Sequence, residues 1–118
     1  MRLTDPWFEA RFYGQITADG SHRDLPSIDG AQGLIMYCPC GYGKPSAGAH
    51  HFMVPFANPR NAPPCPAKHG PLDTSNPDGP RPRWMVQGAG LEDLSVQPSV
   101  NVGKPSCFHG HITRGEIT

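Results

Sequence analysis

Long apolar runs and runs of one charge sign are both missing from this sequence. A membrane-spanning helix needs roughly 18 consecutive apolar residues, and no stretch comes near that length, so we expect no membrane partner. Ten basic residues are scattered among ten acidic ones, which argues against a nucleic-acid partner. The first residues also lack the basic and apolar regions of a secretory signal peptide. We therefore expect synthesis in a reducing cytoplasm.

Apolar core residues are scarce as well. Leu, Ile, Val and Phe make up fewer than one residue in five, and glycine and proline, with 14 and 15 copies among 118 residues, are abundant. The net charge of zero removes the self-repulsion that keeps such sequences disordered. The composition therefore predicts one small domain, residues 1–118, whose small core needs a metal ion, disulfides or a partner.

The apolar pattern predicts a mainly β domain of short antiparallel strands with long Pro/Gly-rich loops, and no convincing helix. The C-terminal strands flank Arg114-Gly115, a pair that suits a tight hairpin turn. Pro55 indicates an edge strand, because proline cannot donate to a strand ladder. The other predicted strands cover residues 8–13, 33–37, 51–56, 83–87 and 94–97. The predicted core consists of Leu34, Met36, Phe52, Val54, Trp84, Val86, Phe108 and Ile112.

Residues 57–82 form a proline-rich segment with eight prolines and almost no apolar side chain apart from Leu72. Long segments of this kind in a small domain are either functional loops or linkers. Extended proline-rich chains are ordered at low entropic cost and offer backbone groups for pairing. We therefore expect a surface excursion within the single domain that is ordered by contacts with another chain.

Two short cysteine-containing motifs provide possible metal ligands. Cys38-Pro39-Cys40-Gly41 is similar to the turn of zinc knuckles, although one residue separates its cysteines instead of the usual two to about four. In the strand that follows Cys107, side-chain alternation places His109 and His111 on the same face as Cys107. A tetrahedral zinc site usually takes two such pairs from distant parts of a chain. The predicted Zn²⁺ ligands are Cys38, Cys40, Cys107 and His109.

Other assignments of these side chains stay open. His50 opens an apolar strand and is the alternate ligand, in place of a cysteine. Cys65 and His69 have a ligand-like spacing inside the proline-rich segment, and they form either a second site or an ordinary loop. The even number of cysteines permits disulfides, and the thiols can also be buried as small apolar groups. A reducing cytoplasm favours a metal over disulfides.

The order of several motifs resembles a family of small phage-encoded proteins. In chain order these motifs are residues 31–40, Gly48-Ala49-His50, residues 83–94, Pro98-Ser99-Val100 and residues 107–112. This succession is similar to DUF6527, a domain of unknown function found in bacteriophages and prophages. The resemblance covers residues 31–56 and 83–117.

This resemblance implies a bacteriophage source and a metal site, but no activity, because none is established for that family. The sequence departs from the family in the narrower spacing of its first cysteine pair, in Phe108 where tryptophan is usual, and in the greater length of residues 57–82. The ligand-type residues that the resemblance implies are Cys38, Cys40, His50, Cys107 and His109.

These features favour a zinc-stabilised structural or interaction module of a phage particle, as a capsid, neck or tail accessory component. Its partners would be other phage structural proteins or copies of itself, and its location the virion after synthesis in the bacterial host cytoplasm. The alternative is a soluble phage accessory protein that binds a host or phage protein. A zinc hydrolase or deaminase is least favoured, because the sequence contains neither His-Glu-x-x-His nor His-x-Glu with Pro-Cys-x-x-Cys. We therefore expect no enzymatic activity.

Overall fold

The computed structural model describes residues 1–17, 21–42, 50–62, 83–102 and 108–118, apart from the side chain of Val102. The described residues form two four-stranded antiparallel sheets and two short 3-10 helices, which confirms the predicted mainly β fold. No helix in these residues is long and apolar enough to cross a membrane. The strands are β1 (Arg11–Gly14), β2 (Arg23–Leu25), β3 (Gly33–Tyr37), β4 (His51–Pro55), β5 (Met85–Gln87), β6 (Ser95–Val102), β7 (Phe108–Thr113) and β8 (Glu116–Ile117).

The first sheet has the strand order β2-β1-β3-β4. Leu34 lies opposite Val54 and Met36 opposite Phe52, so these apolar side chains share the face that packs on the core. β4 is the last strand in this order, as Pro55 predicted. The Pro55 carbonyl accepts a hydrogen bond of 2.9 Å from the backbone N–H of Trp84.

The second sheet has the order β5-β6-β7-β8, and its last hairpin turns at Arg114-Gly115 as predicted. The φ angles of these two residues are 49° and 78°, both positive, as a type I′ turn requires. A Cβ atom on Gly115 would lie 2.5 Å from the backbone oxygen of Glu92. The turn therefore requires glycine both for its backbone conformation and for this close approach.

The core lies between the two sheets and takes side chains from both. Six of the predicted core residues are buried, while Phe52 and Phe108 are partly buried and stack with their ring centroids 6.2 Å apart. At one edge the sheets are joined by a parallel bridge between Phe56 and Trp84. The buried cluster consists of Leu3, Phe8, Phe12, Ile28, Ala31, Leu34, Met36, Val54, Phe56, Trp84, Val86, Leu94, Val96, Val100, Ile112 and Ile117.

The first predicted strand, residues 8–13, starts later in the structure. Phe8 ends a 3-10 helix, Pro6–Phe8, and β1 begins only at Arg11. The Asp5 carboxylate caps the 3-10 helix by accepting a hydrogen bond of 2.9 Å from the Trp7 N–H. A capped turn with proline in its first position therefore overrides the partial alternation of the sequence.

Two further strands differ from the sequence prediction. β2 (Arg23–Leu25) has no apolar alternation, because two of its three residues are exposed and charged. β6 continues through Pro98, which the predicted strand 94–97 did not include. The register of β6 against β7 shifts between Val96 and Val100, and such an irregularity accommodates a residue without a backbone N–H.

The proline-rich segment 57–82 is described only as far as residue 62. Asn58 is fixed on β5, since its side chain donates to the Val86 oxygen at 3.0 Å and accepts from the Val86 N–H at 2.9 Å. The Arg60 guanidinium donates to the Gly88 oxygen at 2.6 Å. Asn58 and Arg60 are therefore held by the domain itself, and residues 63–82 lie outside the described residues.

The N-terminus adds to the second sheet beside β8. The Ile117 N–H donates to the Met1 oxygen at 2.6 Å. The Glu116 carboxylate lies 3.0 Å from Arg2 Nη1 and 3.3 Å from the terminal ammonium group. The Arg2 hydrogen bond first, and then the terminal ammonium, holds the pKa of Glu116 below its usual value.

We expect Glu116→Gln to flatten the pH dependence of stability in the acid range. Because the folded-state pKa of Glu116 lies below its unfolded value, its stabilising contribution is present above the unfolded value and is lost as pH falls through the folded one. The effect should be small, since these groups are well exposed. Urea unfolding midpoints of variant and parent should differ at neutral pH and converge once the pH falls below the folded-state pKa of Glu116.

Glu92→Gln is the matched control for this substitution. Arg2 contacts the backbone oxygen of Glu92, which glutamine retains, so the pH dependence should follow that of the parent. Equal midpoints for the parent and Glu116→Gln at neutral pH would contradict the prediction.

Candidate metal centre

Cys38 and His50 meet at the end of the β3–β4 pair. The two strands pair as far as Tyr37 opposite His51. The ladder continues by one step, because the Cys38 N–H donates to the His50 oxygen at 2.7 Å. Directly opposite residues of an antiparallel pair have Cβ atoms about 4.5–5.5 Å apart. The backbone therefore brings these two ligand-type side chains together.

A 3-10 turn, Pro39–Gly41, brings the second cysteine back to the first. Cys38 is the N-terminal cap of this turn, and the Gly41 N–H donates to the Cys38 oxygen at 3.2 Å. Proline at the first position supplies the φ angle that the turn needs. One ligand atom each from Cys38, Cys40 and His50 consequently lies within 4.8 Å of the other two.

These separations are close to those of a tetrahedral metal site. With Zn–S bonds of about 2.3 Å, two thiolates on one zinc ion lie about 3.8 Å apart. Ligand atoms within 4.8 Å of one another need only small side-chain rotations to reach that arrangement. Thiolate and imidazole ligands select zinc-like ions over calcium and magnesium. The three residues therefore form a possible binding group for such an ion.

The group lies at the boundary between the core and the solvent. Cys38 is fully buried on the same face of β3 as Leu34 and Met36, whereas Cys40 and His50 are exposed. A buried thiolate is costly unless a cation or hydrogen-bond donors compensate its charge. A metal ion at this point would compensate a Cys38 thiolate, whereas a neutral Cys38 thiol is buried without that cost.

Tyr42, the residue after the 3-10 turn, packs against an aromatic cluster. Tyr42 stacks on Phe8 with ring centroids 5.3 Å apart and meets Trp7 edge-on at 5.4 Å. The Tyr42 hydroxyl donates to the Asp5 carboxylate at 2.6 Å. This hydrogen bond is the main reason that the pKa of Asp5 is lowered and that of Tyr42 is raised. Sequence reasoning missed this support, because no motif connects residues 5–8 with residue 42.

The structure does not bring His109 into the group of Cys38, Cys40 and His50. Along β7, Phe108 and Ile112 pack on the core as predicted, while His109 and His111 are exposed. The predicted alternation is therefore confirmed for residues 108–112. The face that carries the two histidines is the outer face of the second sheet, away from the core. For this reason His50, the alternate ligand, is the described histidine that joins the two cysteines.

The remaining predicted ligands are not among the described residues. Cys107, the third thiolate of the predicted zinc site, lies outside them, and so do Cys65 and His69 of the possible second site. His51, next to His50, is exposed and stacks on Tyr37 with ring centroids 3.9 Å apart.

The chain matches no family model, no curated protein sequence and no solved structure. The side chains are therefore the basis for assigning the class of site. Two cysteines separated by one residue and a cross-strand histidine lie close enough together to bind a metal ion. The described residues supply three ligands, and a structural tetrahedral site takes four.

Proposed function

We propose that this chain is a zinc-stabilised structural or interaction module, with one Zn²⁺ bound by Cys38, Cys40, His50 and Cys107. The observation that carries the zinc assignment is the convergence of Cys38, Cys40 and His50 within 4.8 Å. Three cysteines and one histidine are a common ligand set for structural zinc. The metal would add folding energy to a domain with few large apolar residues.

Cys107, retained from the ligand set predicted from the sequence, is the proposed fourth ligand, since the strand alternation that turns His109 outward begins only at Phe108. It directly precedes Phe108, whose ring stacks on Phe52 across the two sheets. Phe52 follows His50 by two residues, which is the spacing of side chains on one face of a strand. Phe108, the residue that follows Cys107 in the sequence, therefore lies at this end of the core. Zinc bound in this way would join the two sheets.

A closed set of four protein ligands supports a structural role for the zinc. Catalytic zinc keeps one coordination position for water or substrate, and the proposed set leaves none. A protein that is held together in this way presents a fixed surface to its partners. We therefore propose that it acts by binding other proteins and has no enzymatic activity.

We further propose that the module belongs to a bacteriophage particle, where it contacts other virion proteins or copies of itself. The resemblance of the motif order to that of the DUF6527 family supports the phage source. The composition of residues 63–82, rich in proline and poor in apolar side chains, supports pairing with a neighbouring chain.

Proteomics of purified particles tests this location. The protein should be present in the particles in a fixed copy number, and chemical cross-linking should join it to a capsid, neck or tail protein. Its absence from the particles, together with recovery in a complex with a host or non-virion protein, would overturn the virion assignment and favour the accessory role.

Cobalt substitution is expected to identify the four ligands. The thiolate-to-cobalt charge-transfer absorbance rises with the number of sulfur ligands, so Cys107→Ser should lose about one third of it if three thiolates bind. His50→Asn should weaken zinc binding by about tenfold or more. His109→Asn is the matched control and should keep the thiolate-to-cobalt charge-transfer absorbance of the parent, because His109 lies on the outer face of the second sheet.

Two outcomes would change the proposed ligand set. Weak zinc binding by His109→Asn, with parent-like binding by His50→Asn, would support the set predicted from the sequence, in which His109 is the histidine ligand. Unchanged charge-transfer absorbance in Cys107→Ser would remove Cys107 from the site.

A further inference from the structure

We infer that the outer face of the second sheet carries a separate binding site for a divalent transition-metal ion, formed by His109 and His111. Both side chains are exposed on β7. Neither belongs to the group of Cys38, Cys40 and His50. The inference therefore does not depend on whether zinc occupies the cysteine-containing centre.

The strand geometry brings the two imidazoles to one side. Residues two positions apart on a strand point to the same face with Cα atoms about 6.7 Å apart. Gly110, between the two histidines, is buried and has no side chain. Both histidines are exposed on this side, and the proposed ion would lie above the strand between them.

Ser99 on β6 orients one of the two rings. His109 Nε2 lies 3.2 Å from Ser99 Oγ. With the Nε2–H donating to this oxygen, the lone pair of Nδ1 is available to a metal ion. Metal-bound histidines usually donate their second ring N–H to an oxygen in this manner. Ser99 is therefore a positioning residue for the proposed site.

The surroundings of the pair suit a partly hydrated ion. His111 lines an open cleft together with Met85, Pro98 and Thr113, and water can complete the coordination shell from this side. In the part of the chain that the structure describes, neither ring forms an ion pair with a carboxylate. Imidazole ligands suit nickel, copper and zinc, with affinity rising toward copper. The ligand class is therefore an imidazole-binding divalent ion.

Nickel is the probe of choice, because Ni²⁺ does not oxidise thiols as Cu²⁺ does. Ni²⁺ is titrated into the untagged, reduced protein after loading with one equivalent of zinc and removal of the excess, so that zinc occupies the cysteine-containing centre only. The parent should bind one Ni²⁺ per chain. His109→Asn and His111→Asn should each weaken binding by about tenfold or more, and Ser99→Ala by a smaller factor, up to about tenfold.

His22→Asn is the matched control, since His22 is an exposed histidine outside β7, and it should bind Ni²⁺ like the parent. Thermal unfolding of each variant checks that the fold is retained. Paramagnetic broadening by Ni²⁺ should be strongest at the amide signals of β7. Parent-like binding by the double variant of His109 and His111, an equal loss in His22→Asn, or broadening centred on Cys38 and His50 would each overturn the inference.

Discussion

Removal of zinc from the reduced protein is expected to lower its free energy of unfolding by about 5 kcal/mol or more. Small zinc domains gain about 10–16 kcal/mol from their ion, whereas a whole domain is stable by only about 5–15 kcal/mol. The effect should be large in this chain, because large apolar residues are few. The group of Cys38, Cys40 and His50 also lies where β3 ends and β4 begins. Urea unfolding with and without a chelator, combined with elemental analysis for zinc, measures it.

Cys38→Ser should reproduce the effect of the chelator. Cys38 is fully buried, and a serine hydroxyl at this position is a poor zinc ligand in place of a thiolate. We expect the zinc content to fall below about half an equivalent, together with the loss of stability. Cys65→Ser is the matched control, since Cys65 belongs to the proline-rich segment, and it should keep both zinc and stability.

Stable, cooperatively unfolding protein after complete removal of zinc would contradict the structural role of the ion. Loss of zinc from Cys65→Ser would show that the proline-rich segment supplies a ligand. The two results are distinguishable, because the first separates zinc from stability and the second changes the ligand set.

The cysteine pair of the site could be predicted from its local motif, but its histidine could not be fixed. Only Pro39 separates Cys38 from Cys40 in the sequence, so their proximity follows from the turn between them. His50 joins them only because the β3–β4 register places it opposite Cys38. That register depends on how the connection between the strands is built, and a connection of this length does not determine it. The sequence therefore left His50 and His109 as competing ligands.

The strands were predictable where the apolar pattern of the sequence was strong. The β3 and β4 segments and the C-terminal hairpin have clear apolar patterns and turn residues, and these elements lie where the sequence placed them. Side-chain contacts overrode the pattern at Phe8, where the Asp5 cap favours a 3-10 turn. β2 depends on pairing with β1, and its charged residues give no apolar signal. Such tertiary contacts are not encoded in a local pattern.

Phe56→Ala is expected to destabilise the domain by about 3–5 kcal/mol. Phe56 is 1 % exposed, and its ring packs edge-on against Phe12 with centroids 6.4 Å apart. Its backbone bridges to Trp84, where the two sheets are joined. Loss of the ring would leave a cavity. Backbone hydrogen bonds hold the surrounding strands in place, so the cavity can collapse only partly. Urea unfolding of the zinc-loaded protein measures the effect.

Met53→Ala is the matched control for this substitution, because Met53 lies on β4, three residues before Phe56, but is 40 % exposed, and its effect should stay within about 0.5 kcal/mol. His50 precedes the first residue of β4 and Phe56 follows its last residue, so the two lie at opposite ends of this strand. Phe56→Ala should therefore keep the cobalt spectrum of the parent while it loses stability. Cys38→Ser, in contrast, should lose both. A loss of less than about 1 kcal/mol in the free energy of unfolding of Phe56→Ala would contradict close packing around this ring. A changed cobalt spectrum would mean that the packing around Phe56 and the metal centre are coupled.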